Sequence, residues 1–168
     1  MATYEFVSIT CITPSTGVSG FATSLIEAIG SAAGGAVAGA LTSMTGPGAL
    51  AMGAVGSIAG GILGHGAGSF LEYIGSLVPD ELYIEVDRQR VWPDGGGMLI
   101  GVGEKQTPSI RGEFNHPINI TLKEWDEMSG DDNLGEFLIS PGMTGNGFAY
   151  LVANPEEGDV YEVVLNIS

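Results

Sequence analysis

Between Phe6 and Pro79 the chain runs for 74 residues with only two charged side chains, Glu27 and Glu72. Sixteen of its 28 glycines fall between Gly17 and Gly75, and all five basic residues lie after position 87. No single globule is built from such halves, so the 168-residue chain is read as two parts. The breaks fall near Pro14 to Gly20 and near Pro79, where proline and small polar residues punctuate the chain. This predicts a domain made of residues 1–14 and 80–168, interrupted by an insert spanning 18–78.

Within the insert, residues 21–43 and 49–77 are rich in Ala, Gly, Leu and Ile, and Thr45-Gly46-Pro47-Gly48 forces a turn between them. The expected structure is a helical hairpin whose arms approach the length that crosses a ~30 Å hydrocarbon layer. Gly56, Gly60, Gly64 and Gly68 recur every fourth residue and would line one helix face. Gly30/Gly34 and Gly35/Gly39 repeat the theme in the first arm. Faces without side chains let helix backbones touch, the small-xxx-small mode of membrane packing. In water such helices are poor, since each interior glycine costs about 0.8–1 kcal/mol against alanine. The pattern resembles the glycine zippers of bacterial pore-forming and membrane-permeabilising proteins. A protein-packed hairpin inside a homo-oligomer or filament is the alternative.

From Asp80 onward hydrophobic residues alternate instead. Strands are expected at 81–92, 98–102, 108–114, 117–125, 135–140, 147–153 and 160–167, with an eighth at 4–12. Eight short strands with Gly-, Pro- and Asn-rich turns indicate an antiparallel β-sandwich. The predicted class is therefore α+β, a sandwich carrying a helical hairpin between its first two strands.

The acidic domain holds a loop of interest. Leu122-Lys123-Glu124-Trp125-Asp126 followed by Asp131, Asp132 and Gly135 resembles the third calcium loop of C2 domains. Glu124 stands where that family has its first aspartate, while Asp126, Asp132 and Gly135 match. Glu81-Leu82-Tyr83-Ile84-Glu85-Val86 is similar to the family's Asp-Pro-Tyr-Val-x-Val strand start, with Glu81 in place of aspartate. The resemblance implies a C2-like sandwich that binds Ca2+ through Glu81, Glu124, Asp126, Asp131 and Asp132. It also places the insert at the membrane-facing end, beside that loop. Calcium takes six to eight oxygens, which clustered carboxylates supply. A solvated acidic turn is the plainer reading of the same residues.

Charge narrows the function. With 5 Lys+Arg against 20 Asp+Glu the net charge is −15, and phosphate-rich nucleic acid needs the opposite. A single cysteine, Cys11, permits no internal disulfide. His65 and His116 have no positioned serine or ordered triad spacing beside them, so an enzyme is not expected. The apolar run lacks a basic n-region, so no secretory leader is expected. The chain reads as a membrane-active protein, a toxin or delivered effector. It would be soluble first and would then oligomerise in a lipid bilayer.

Overall fold

The alternating stretch at the amino terminus becomes a long strand. Tyr4, Phe6, Ile9 and Cys11 turn inward, and the pairing of this strand with the last one of the chain carries two register irregularities, between Phe6 and Ser8 and between Cys11 and Thr13. The computed structural model describes residues 1–15, 51–52, 78–127, 130–154, 156 and 158–168. In chain order the strands are β1 (Ala2–Thr13), β2 (Ala51–Met52), β3 (Asp80–Val86), β4 (Gln89–Trp92), β5 (Met98–Ile100) and β6 (Lys105–Gln106). There follow β7 (Arg111–Phe114), β8 (Ile118–Glu124), β9 (Asp132–Ile139), β10 (Gly145–Asn154) and β11 (Asp159–Ile167).

These strands form two antiparallel sheets. The first runs β2-β10-β11-β1-β6, with β7 also on β1; the second runs β4-β3-β8-β9, with β5 also on β3. Leu82, Ile84, Ile120, Leu122 and Phe137 of the second sheet meet Ile9, Cys11, Tyr161, Val163 and Leu165 of the first in one core. Phe137 stacks on Tyr150 across the two layers, with ring centroids 4.3 Å apart and planes 20° apart. Close packing of this kind makes the interior sensitive to lost volume.

The α+β expectation is corrected here, because every regular element among the described residues is a strand. The correction reaches into the insert itself. Ala51 and Met52, assigned to the second helical arm, are extended and pair with Tyr150 and Ala149 of β10. An edge strand's backbone groups need partners, and a glycine-rich stretch has little helix propensity to set against them. The rest of the expected helical hairpin lies outside the described residues.

Smaller differences have local causes. The predicted strand 81–92 is cut by Asp87 and Arg88, whose φ values of 48° and 67° form the tight I′ type of hairpin turn. Asp87 fixes this turn by accepting from the Asn119 backbone N–H at 2.9 Å. The segment read as strand 108–114 is paired only from Arg111 onward, and β6 precedes it as a separate two-residue strand.

Register places the functional end. Thr13 lies opposite Val160, Asp80 opposite Ile100, Glu124 opposite Asp132, and Asn154 opposite Asp159. Asn154 Nδ2 donates to the Asn133 carbonyl at 2.6 Å and ties the two sheets there. The chain therefore leaves for the insert, returns from it, and forms the 125–131 loop at one end of the two-layer arrangement.

Phe137→Ala should lower unfolding free energy by about 3–5 kcal/mol, because a large buried ring is replaced by a cavity. Leu138→Ala, at an exposed position on the same strand, should change it by no more than about 0.5 kcal/mol. Denaturant unfolding of both variants checks the inward face of β9.

Candidate functional site at the acidic end

Asp80 is the first charged residue after the apolar run, and β3 begins with it. It is 2% exposed, and its carboxylate accepts the Ser15 backbone N–H at 2.9 and 3.1 Å. The Tyr161 hydroxyl, wholly buried on β11, donates to the same carboxylate. One side chain thus joins the outgoing chain at Ser15, the returning chain at β3 and the middle of the first sheet. Beside it Thr13 Oγ1 donates to the Gly158 carbonyl at 3.0 Å and closes the other flank of the neck.

Burial pushes the Asp80 carboxyl above the ordinary Asp value, and the bonds from Tyr161 and Ser15 oppose that rise. Burial likewise raises the Tyr161 hydroxyl and the Cys11 thiol, each also facing negative charge from Asp80. Cys11 is therefore a buried, protonated core residue and not a nucleophile.

The loop predicted to hold calcium sits beside this neck. Asp131 Oδ2 accepts from the Tyr83 hydroxyl at 2.8 Å and Oδ1 from the Asp126 backbone N–H at 3.2 Å. These two bonds, the Tyr83 one first, hold the Asp131 carboxyl below the ordinary value, with Lys123 and Arg90 charges adding to them. Glu124 ends β8 opposite Asp132, the exposed first residue of β9. Glu81 is exposed on β3, and its carbonyl accepts from Trp125 N–H at 2.7 Å. The five acidic residues thus share one end of the fold. Among the described residues, however, no group of three or more His, Cys, Asp or Glu side chains is gathered closely enough to hold a metal ion. The calcium expectation for this loop rests on the sequence spacing alone. The packing glycines Gly30, Gly34, Gly35, Gly39, Gly56, Gly60, Gly64 and Gly68 lie outside the described residues.

Sequence reasoning missed a second cluster against that loop. Arg90 lies over the Tyr83 ring at 4.5 Å and the Trp125 ring at 4.9 Å, and the two rings meet edge-on. Its Nε donates to the Pro93 carbonyl at 3.0 Å, while Nη2 is buried with no hydrogen-bond partner. Cation–π contact of this kind contributes about 0.5–2 kcal/mol and fixes the start of the loop. Only alternation along β3 hinted at it: Tyr83 faces away from the core that takes Leu82 and Ile84, yet it is 3% exposed.

Two titrations check these assignments. A buried carboxyl with a raised value binds its proton more tightly in the folded than in the unfolded chain. The stability it contributes is therefore present below the ordinary Asp value and is lost as pH rises through the raised one. Asp80→Asn should flatten that part of the stability–pH curve, measured by denaturant unfolding. Asp131 has the opposite sign: its contribution is present above the ordinary value and is lost as pH falls through the depressed one. Tyr83→Phe should move the Asp131 carboxyl titration midpoint upward by NMR, toward the ordinary value, with the Asp126 N–H and the Lys123 and Arg90 charges still opposing the full return.

No family model matches this chain, and no curated protein matches it either.

Proposed function

We propose that the protein acts on lipid bilayers, with the glycine-rich insert as the membrane-active part and the two-sheet domain as its carrier. One observation carries this reading. A run almost without charge leaves and re-enters the carrier at a single neck, where Asp80 joins both of its ends. The insert can therefore change surroundings while the two sheets stay intact. The activity is assigned to residues 18–78 because they carry the glycine repeats and almost no charge.

The physical case is one of partition. Charged side chains are expensive in hydrocarbon, and the insert carries only Glu27 and Glu72. Its many glycines permit close backbone approach, which supports association of several copies once side chains are surrounded by lipid. The carrier, with its strong negative charge, stays in water. It is repelled by anionic headgroups until cations screen it, so ionic strength should speed its approach to such membranes. A toxin or delivered effector fits this division between carrier and cargo, and the C2-like resemblance of the loop supports the same orientation toward lipid.

Dye release from vesicles is the test. The intact chain should release trapped dye and crosslink as oligomers in the membrane. Gly60→Glu combined with Gly64→Glu should abolish release while leaving the melting temperature of the two-sheet domain unchanged, since the change puts charge into the part that must enter hydrocarbon. Oligomers without any dye release would instead favour the assembly role. Release undiminished by the two glutamates would remove the insert from the mechanism.

A further inference from the structure

β10 begins with an irregularity, at the end of the strand away from the neck. Gly145 lies opposite Ile167 and Phe148 opposite Leu165, so Asn146 and Gly147 together face a single residue of β11, Asn166. Two residues against one make a β-bulge, and Gly147 supplies the left-handed backbone it needs, with φ of 71°. The Gly147 backbone N–H donates to a side chain, Asn166 Oδ1, at 2.9 Å. Asn146 itself is exposed, so water reaches its amide. Sequence singles out the same place. Of the six asparagines only Asn146 is followed by glycine; the others precede His116, Ile120, Leu134, Pro155 and Ile167. Asparagine is a thermolabile residue. The next residue decides how fast it is lost, because that residue's amide nitrogen must approach the side-chain amide carbon, and any side chain there obstructs the approach.

We propose that Asn146-Gly147 is a self-modification site of this chain, and that Asn166 guards it while the protein is folded. The Gly147 amide nitrogen gives up its proton to solvent and bonds to the side-chain amide carbon of Asn146. The carbon–nitrogen bond of that amide breaks, and ammonia leaves with a proton taken from water, so a succinimide ring remains. Water then adds to either ring carbonyl and opens the ring to aspartate or isoaspartate. Overall a water is consumed, an ammonia is released, nothing is oxidised or reduced, and a negative charge is gained. The guard is geometric. The nitrogen that must attack is held as a donor to Asn166, inside a bulge flanked on both sides by paired strand. Reaction therefore waits for this end of β10 to open, and its rate follows the open fraction. The product matters to the fold as well. Isoaspartate lengthens the backbone by a methylene, where two residues already face one and where Phe148, packed on the core, comes next. An isoaspartyl chain cannot keep both flanking pairings. None of this depends on the membrane reading.

The test incubates the full chain in mildly alkaline buffer and follows amide-to-acid conversion by peptide mapping with mass spectrometry. In denaturant, Asn146 should convert ahead of every other asparagine. In the folded chain its conversion should be at least about tenfold slower. Asn166→Ala should speed conversion in the folded chain about two- to tenfold, the range that one ordinary hydrogen bond spans, with the melting temperature little changed. Asn166→Asp keeps an acceptor and should stay slow. Hydrogen exchange judges the guard without any substitution: the Gly147 amide should be protected in the unmodified protein. The isoaspartyl form should melt below Asn146→Asp, which carries the same charge without the added methylene. Equal rates in buffer and denaturant, an unprotected Gly147 amide, or Asn166→Ala as slow as the parent would overturn the guard. Conversion in denaturant led by another asparagine would overturn the site. An isoaspartyl form as stable as Asn146→Asp would overturn the consequence drawn for the bulge.

Discussion

A buried carboxylate on which three chain segments converge is the constraint from which the rest of this architecture follows. Asp80 holds the Ser15 N–H and the Tyr161 hydroxyl while opening β3. Leaving those donors without an acceptor in the interior would cost about 1–3 kcal/mol each, so the neck is held closed by the same group that starts the second sheet. Because β1 and β3 belong to different sheets, the bond also sets how the layers meet at that end. A long insertion is tolerated at this point for a simple reason: the entropy of closing a loop grows only slowly with its length, and both ends are already fixed.

The same end gathers the negative charge. Glu81, Glu124, Asp126, Asp131, Asp132 and Asp159 surround the place where the least charged part of the chain emerges. Within this group Asp131 is held by Tyr83 and by the Asp126 backbone, and Arg90 braces Tyr83 and Trp125 behind it. Carboxylates already engaged in protein bonds are less free to wrap an ion, so the bonds that hold Asp131 oppose the calcium role expected from the sequence spacing.

The strands were the most legible part of the sequence, because alternation of Leu82, Ile84 and Val86, or of Tyr161, Val163 and Leu165, follows directly from a half-buried pleat. Turn chemistry was less so: nothing in Asp87-Arg88 announces a left-handed pair, since neither residue is glycine. The helical expectation failed at Ala51 and Met52, where composition was judged without the edge of β10 that competes for their backbone. At the site, the acidic residues were found but their partners were not. Tyr83 and Arg90 meet Asp131 and Trp125 only through strand pairing, and the burial of Asp80 depends on Tyr161, distant in sequence. Contacts of that range are set by topology and leave no local pattern to read.

The central claim is that a two-sheet carrier persists while its insert changes environment. Amide hydrogen exchange of the intact protein, resolved by peptide and measured in buffer and with lipid vesicles, tests it most directly. The account predicts that peptides from β1, β3, β8 and β11 keep the same strong protection in both conditions. Peptides within residues 18–78 should shift. Collapse of protection across the carrier strands on adding vesicles, or an insert whose exchange is indifferent to lipid, would contradict it.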